Sequence, residues 1–268
     1  MKIAIITTNF DLDKTLGCGQ CFRWNKSENI WTGFLNDKEC HVWMEDNILY
    51  TQSEESINQE EIIRYFAITN NDNKRYYQVY NAIKNDPVLA EIAESGYGLR
   101  VLRQPYWEMV VSYIISANNN IPSIKKTIAK MCEYWGDGKI PTPEKINSLD
   151  VETLKESKCG FRAKYLKSAA ENYLNGTISD LQHLDLEGVD KRLQLVSGIG
   201  PKVAACIELF SLNFTEVCPI DVWIGRELDR LYPNMTHKEA IQHINNKTKN
   251  CAGIVQEWMY YHALFGNK

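Results

Sequence analysis

Two residues set the chemical question, Lys202 and Asp221. Lys202 stands in "SGIGPKVAAC", just after a glycine-rich break between two apolar runs. The break reads as helix, hairpin, helix. Val189, Leu193 and Val196 share one helical face before it, and Val203, Ile207 and Phe210 share one after it. Pro201 fits the first position of the second helix. Lys202 then lies in the first turn, where the backbone dipole disfavours a cation. One reading is an exposed surface lysine on a turn. The other is an amine kept neutral by the positive helix end and partial burial, and so a nucleophile able to form a Schiff base. Local sequence leaves both open.

Asp221 follows in "EVCPIDVWIGREL" and changes the balance. Pro219 precedes a helical pattern, so Asp221 is placed as a helix cap. A capping carboxylate beside the hairpin is also suited to stabilising positive charge that develops on a sugar. In the hairpin, Gly198 and Gly200 are both free to take positive φ and to let another backbone approach closely. Glycines ahead of a helix N-terminus expose unpaired N–H groups that suit a phosphate. A plain turn between helices would use the same glycines for geometry alone.

The elements that must hold these residues divide in two. From about 15 to 52, "CFRWN", "IWTGFLN", "CHVWME" and "ILYTQ" are short, aromatic and β-branched, with "NKSEN" and "MEDN" as turns between them. After about 58 the apolar spacing becomes helical and no strand pattern returns. Asp86-Pro87 fits a cap followed by a first-turn proline, and "IPTPEKI" a loop feeding a helix. The class expected is α+β: a small N-terminal antiparallel β-sheet domain, 1–70, followed by a larger all-α domain, 71–268.

With 268 residues there is enough chain for a real core, and no segment approaches the length of an apolar membrane span. The N-terminal apolar run is too short for a signal peptide, so a cytoplasmic protein with no membrane partner is expected. The eight cysteines are scattered, which in such a chain reads as reduced thiols. "CGQC", Cys18 to Cys21, is a lone pair without the second pair a zinc site needs. A net charge of −4 does not advertise nucleic acid, yet binding needs only a local basic face. "KESKCGFRAKYLK" supplies one, with five cations against one acid, a local +4. By itself this segment reads as an ordinary solvated helix face.

Together "LVSGIGPKVA" and "VCPID" resemble the hairpin and aspartate of the helix-hairpin-helix (HhH-GPD) DNA glycosylases. "VLRQPYWEMVVSYIISANNNI" and "CGFRAKYLKSAA" resemble helices that precede the hairpin in that superfamily. "GCGQCFRW" and "AGIVQEWMYYHALFG" resemble the two ends of its 8-oxoguanine DNA glycosylase/AP lyase branch, with a C-terminal helix, 252–265, completing the base pocket. The resemblance spans nearly the whole chain. It implies double-stranded DNA containing oxidised guanine as partner, a flipped base, attack by Lys202 on the sugar C1′, a Schiff base and β-elimination. Asp221 is the matching carboxylate.

For the base pocket the resemblance implies Gly19, whose carbonyl accepts the N7–H that only the oxidised purine carries. It also implies Gln256 on the Watson–Crick edge, Tyr260 stacking on the base, Cys206 on the base's other face, and Phe210. For the DNA it implies Asn118 and Asn119 filling the vacated stack, Phe161 as a wedge with Arg162 beside it, Gly198 and Gly200 at phosphate, and Trp223 where relatives carry a phosphate-contacting histidine. Arg162 lifts the local +4 segment to a DNA contact. Ser123 stands where some relatives have an arginine that reads the opposite cytosine, leaving opposite-base choice open. The four-cysteine cluster of other members is absent, so no iron–sulfur centre, metal or other cofactor is expected. A monomer is expected, associated with the nucleoid in a prokaryote. Two alternatives stay in play: a monofunctional glycosylase for alkylated bases, which would not need Lys202, and a non-enzymatic DNA-binding module, which would need neither Lys202 nor Asp221.

Overall fold

A computed structural model describes residues 1–266. In chain order the elements begin with strand β1 (Lys2–Ile6), helix α1 (Leu12–Gly17), and strands β2 (Asn25–Ser27), β3 (Ile30–Leu35), β4 (Lys38–Glu45) and β5 (Ile48–Gln52). Helices α2 (Gln59–Tyr65), α3 (Asn70–Ile83), α4 (Ala90–Gly96), α5 (Tyr106–Ser116) and α6 (Ile121–Trp135) follow. Next come α7 (Pro143–Ser148), α8 (Val151–Lys155), a 3-10 turn (Gly160–Arg162), α9 (Ala163–Leu174), α10 (Leu186–Leu193) and α11 (Pro201–Phe210). The chain closes with α12 (Val222–Leu231), α13 (His237–Thr248) and α14 (Ala252–Phe265). The class is α+β, with the only sheet among the described residues at the N-terminal end.

The sheet is antiparallel, in the order β1-β5-β4-β3-β2. Strict alternation makes it: Trp31 and Leu35, Cys40 and Val42, and Leu49 and Thr51 all turn to one buried face. The β3–β4 turn is Asn36-Asp37, both at positive φ (51° and 61°), the conformation a tight two-residue hairpin demands. β1 pairs with β5 although its own sequence carries no clean alternation.

Two expectations need correction here. "CFRW" is not a strand, and β2 begins only at Asn25. Gln20 to Trp24 are all buried, and a run without an exposed face cannot sit on a one-sided sheet. Trp24 instead lies flat over Gly33, where any Cβ would overlap its ring, and its indole N–H donates to the Tyr65 hydroxyl at 2.8 Å. Asp86 does accept from two amides, Val88 and Leu89, but it caps the turn leading into α4 rather than α4 itself, whose N-cap is Leu89.

The chain forms two compact units, and they do not divide at residue 70. One comprises Met1–Arg103 with the chain from Asn213 onward; the other is Gln104–Leu212. In the sheet-bearing unit, α14 is buried on all sides from Ala252 to Met259. Trp258 crosses Gly96 of α4 so closely that no side chain fits there. Capping boxes start α2, α3 and α13 (Asn58/Glu61, Thr69/Asp72, Thr236/Glu239). In the helical unit, α5 is buried from Glu108 to Ile115, and α7, α8 and α10 start on Thr142, Asp150 and Asp185 caps.

Candidate active site

In the helical unit the hairpin forms as its sequence demands. α10 ends at Leu193, and α11 starts with Gly200 as N-cap, Pro201 in the first position and Lys202 in the second. Val189, Leu193, Val196, Val203, Ile207 and Phe210 are all buried. The two glycines do different work. Gly198 has φ +92, and a Cβ there would overlap the Tyr165 ring. Gly200 is extended, with φ −93 and ψ −178, and a Cβ there would meet only open space. The expectation of positive φ thus holds for Gly198 and fails for Gly200. The stripped side chain at Gly200 leaves the α11 N-terminus open to approach.

Lys202 is half-buried, with its ammonium 5.4 Å from the centre of the Tyr113 ring. Tyr113 in turn stacks on Phe210, centroids 5.5 Å apart at 11°. Lys202, Cys206 and Phe210 follow at successive four-residue steps of α11, on one face. Cys206 and Phe210 are buried. Phe210 is therefore core, backing Lys202 through Tyr113.

Asn118 and Asn119 follow α5. Asn118 is exposed with φ +50, the left-handed step that ends a helix. Asn119 folds back to donate to Ile115 O at 3.1 Å. Phe161 is 50% exposed and edge-on to Tyr165 at 6.0 Å. Arg162 behaves otherwise than its neighbours suggest. It is 8% exposed, and its guanidinium donates to Ala117 O (2.8 and 2.6 Å), Asn118 O (2.8 Å) and Cys159 O (3.3 Å). Burial pulls its pKa down. Lys167 likewise donates to the carbonyls of Asn147 and Leu149. Of the five cations in the basic segment, these two hold main chain, Lys155 pairs with Glu152, and Lys158 and Lys164 stand exposed.

In the sheet-bearing unit, Asp221 caps α12: Oδ1 accepts from the amides of Trp223 (2.9 Å) and Ile224 (2.8 Å). Trp223 is 51% exposed, with the Arg226 guanidinium 5.8 Å from its ring. On α14, Gln256 and Tyr260 lie one turn apart. Gln256 is buried and its Oε1 has no hydrogen-bond partner, an acceptor held without its complement. The Tyr260 phenol is pushed up to about 12, first by burial, then by the charges of Asp221, Glu257 and Cys18. Gly19 has φ +103 and is half-exposed between buried Cys18 and Gln20. Burial, and then Glu257, pushes the Cys18 thiol well up, so it is no reactive thiolate.

All eight cysteines are buried. Among the described residues, no group of three or more His, Cys, Asp or Glu is placed to hold a metal ion, and no helix is long and apolar enough to cross a membrane. Sequence reasoning missed Gln20, the buried Arg100 and the 99–102 segment they touch. The signal available was a glutamine inside an otherwise apolar run.

Residues 2–110 match the family model of the 8-oxoguanine DNA glycosylase N-terminal domain, and residues 111–251 match that of the HhH-GPD superfamily of base excision DNA repair proteins. The Saccharomyces cerevisiae N-glycosylase/DNA lyase is 28% identical over 92% of this chain and 74% of its own. The Clostridium acetobutylicum 8-oxoguanine glycosylase/lyase, solved with double-stranded DNA containing cytosine opposite 8-oxoguanine, is 31% identical with a TM-score of 0.86, covering 100% of this chain and 99% of its own. MBOgg1, solved with a low-affinity DNA ligand, is 33% identical with a TM-score of 0.89, covering 100% and 96%.

Proposed function

We infer the activity of this chain from its family: it belongs to the HhH-GPD superfamily of base excision DNA repair proteins and, within it, to the 8-oxoguanine glycosylase/lyase group. It excises 8-oxoguanine from duplex DNA and nicks the strand at the abasic site. The observation that carries the lyase half is Lys202, a half-buried amine in the second position of α11, directly after the hairpin.

The Lys202 amine attacks C1′ through its nitrogen lone pair. The C1′–N9 bond breaks and its electron pair leaves with the base. The nitrogen gives up one proton, O4′ takes it as the C1′–O4′ bond opens, and the remaining N–H stays on the iminium. A base then removes a C2′ proton and the C3′–O3′ bond breaks, cutting the strand. Water hydrolyses the iminium and returns the amine. Asp221 stabilises positive charge on the sugar as the base departs. Its helix cap fixes one carboxylate oxygen by two amide bonds, so the group is oriented before substrate arrives.

For the base, the Gly19 carbonyl accepts N7–H, which guanine lacks. Gln256 pairs with the Watson–Crick edge, which would satisfy its unpartnered oxygen, while Tyr260 and Cys206 close the two faces. For the duplex, phosphate meets the α11 N-terminus at Gly200. Phe161 wedges the stack beside Asn118 and Asn119, and Trp223 lies along the backbone. The protein acts as a monomer, without a cofactor, where the DNA lies. Ser123 carries no cation to read an opposite cytosine, so excision depends weakly on the opposite base.

The test is a panel of duplexes with 8-oxoguanine opposite each of the four bases, incubated with and without borohydride. Base release with strand cleavage and a trapped adduct in all four is expected. Base release with neither nick nor adduct would put the chain with the monofunctional glycosylases.

A further inference from the structure

Glycine is a poor holder of its own carbonyl, because nothing but the backbone anchors it. Yet discrimination between an N7–H and an N7 lone pair requires that the Gly19 carbonyl point one way within narrow limits. Its peptide plane is shared with Gln20, and Gln20 is 2% exposed. The Gln20 side chain spans two pieces of chain. Nε2 donates to Thr15 O at 2.9 Å and Arg100 O at 2.7 Å, and lies 3.3 Å from Cys18 Sγ. Oε1 accepts from Leu102 N at 2.8 Å. Both ends of the amide are thus used, one on α1 and the 99–102 segment, the other on that segment again.

The 99–102 segment also holds α14. Leu99 O accepts from the Trp258 indole at 3.2 Å, two residues from Gln256 and from Tyr260. Arg100 N donates to the Thr15 hydroxyl at 3.1 Å, and Val101 N to the Tyr76 hydroxyl at 2.8 Å. Side chains occupy successive main-chain groups of this segment, which acts as a rail common to the Gly19 loop and to α14.

We propose that Gln20 is a positioning residue for lesion recognition, its amide registering the Gly19 carbonyl against the rail that carries Gln256 and Tyr260. This rests on reading Gly19 as the acceptor for N7–H. Gln20 touches no reacting atom. Its loss therefore blunts the choice of base while leaving the Lys202 chemistry on an abasic sugar intact.

The test uses Gln20→Met, which keeps length and loses the amide, and Gln20→Asn, which keeps the amide and loses reach. Three single-turnover rates are compared: excision of 8-oxoguanine, excision of guanine from the same duplex, and cleavage at a preformed abasic site. The expected result is a fall of about tenfold or more in 8-oxoguanine excision, a narrowed ratio over guanine, and abasic cleavage within about twofold of wild type. A parallel fall in both activities, which a merely structural role produces, would overturn the proposal, as would no change in either. A wild-type protein with no preference for 8-oxoguanine over guanine would instead contradict the Gly19 reading itself.

Discussion

At Asp221, capping and charge are separable by one substitution. Asparagine caps a helix as well as aspartate does, whereas alanine costs about 1 kcal/mol. Asp221→Asn keeps both amide bonds to α12 and removes only the negative charge. Its melting temperature stays at the wild-type value while 8-oxoguanine excision falls by about 100-fold, in the range seen when a site loses a transition-state electrostatic contact. Asp221→Ala loses both. If Asp221→Asn retains full turnover, the carboxylate is a cap and nothing more. The positions of Lys202 and Asp221 were legible because proline and glycine punctuate both segments and leave little conformational choice. Arg162 was not. A charge count cannot show that the carbonyls of Ala117 and Asn118, 44 to 45 residues earlier, take up its guanidinium.

Among the elements, the hairpin gives a contrast between two glycines. Gly198→Ala forces a side chain into the Tyr165 ring at positive φ. It destabilises the protein by about 2–4 kcal/mol, read as a lower denaturant midpoint. Gly200→Ala meets open space at an extended φ, so it costs stability only at the level of a poorer N-cap, about 1 kcal/mol or less. With the proposed phosphate role it nonetheless weakens duplex binding, because the added methyl narrows the open approach to the α11 N-terminus. Equal binding by Gly200→Ala and wild type would remove the phosphate role from the α11 N-terminus. The two glycines look alike in the sequence; only Tyr165 and the chain direction at Gly200 tell them apart. The same limit explains the N-terminal strands. β3, β4 and β5 were readable from alternation, whereas "CFRW" has strand-like residues but is buried throughout, and β1 takes its place at the sheet edge from pairing with β5.

Taken as a whole the molecule carries a net charge of −4, so binding to a polyanion falls to local cations. Lys158 and Lys164 are exposed in the basic segment, while Arg162 is committed to main-chain carbonyls. Salt dependence separates these roles. Lys158→Ala and Lys164→Ala each lower the slope of log K against log salt by up to about 0.9. Arg162→Gln leaves that slope unchanged and lowers the denaturant midpoint, since a buried charged donor is lost. A slope that drops for Arg162→Gln and not for the lysines would reverse the assignment. The organisation at this scale was the least legible. The residues from 213 return to the sheet-bearing unit through contacts far apart in sequence, among them Trp258 over Gly96, 162 positions apart, and the Lys247–Asp86 ion pair.

The central claim is that Lys202 forms the covalent bond to the sugar. It is tested most directly by reducing the complex with borohydride on an 8-oxoguanine duplex, digesting it, and locating the modified residue by mass spectrometry. The predicted result is a single sugar-bearing peptide modified at Lys202, with no adduct from Lys202→Gln. An adduct on any other amine, the N-terminus included, or one that survives in Lys202→Gln, would contradict it.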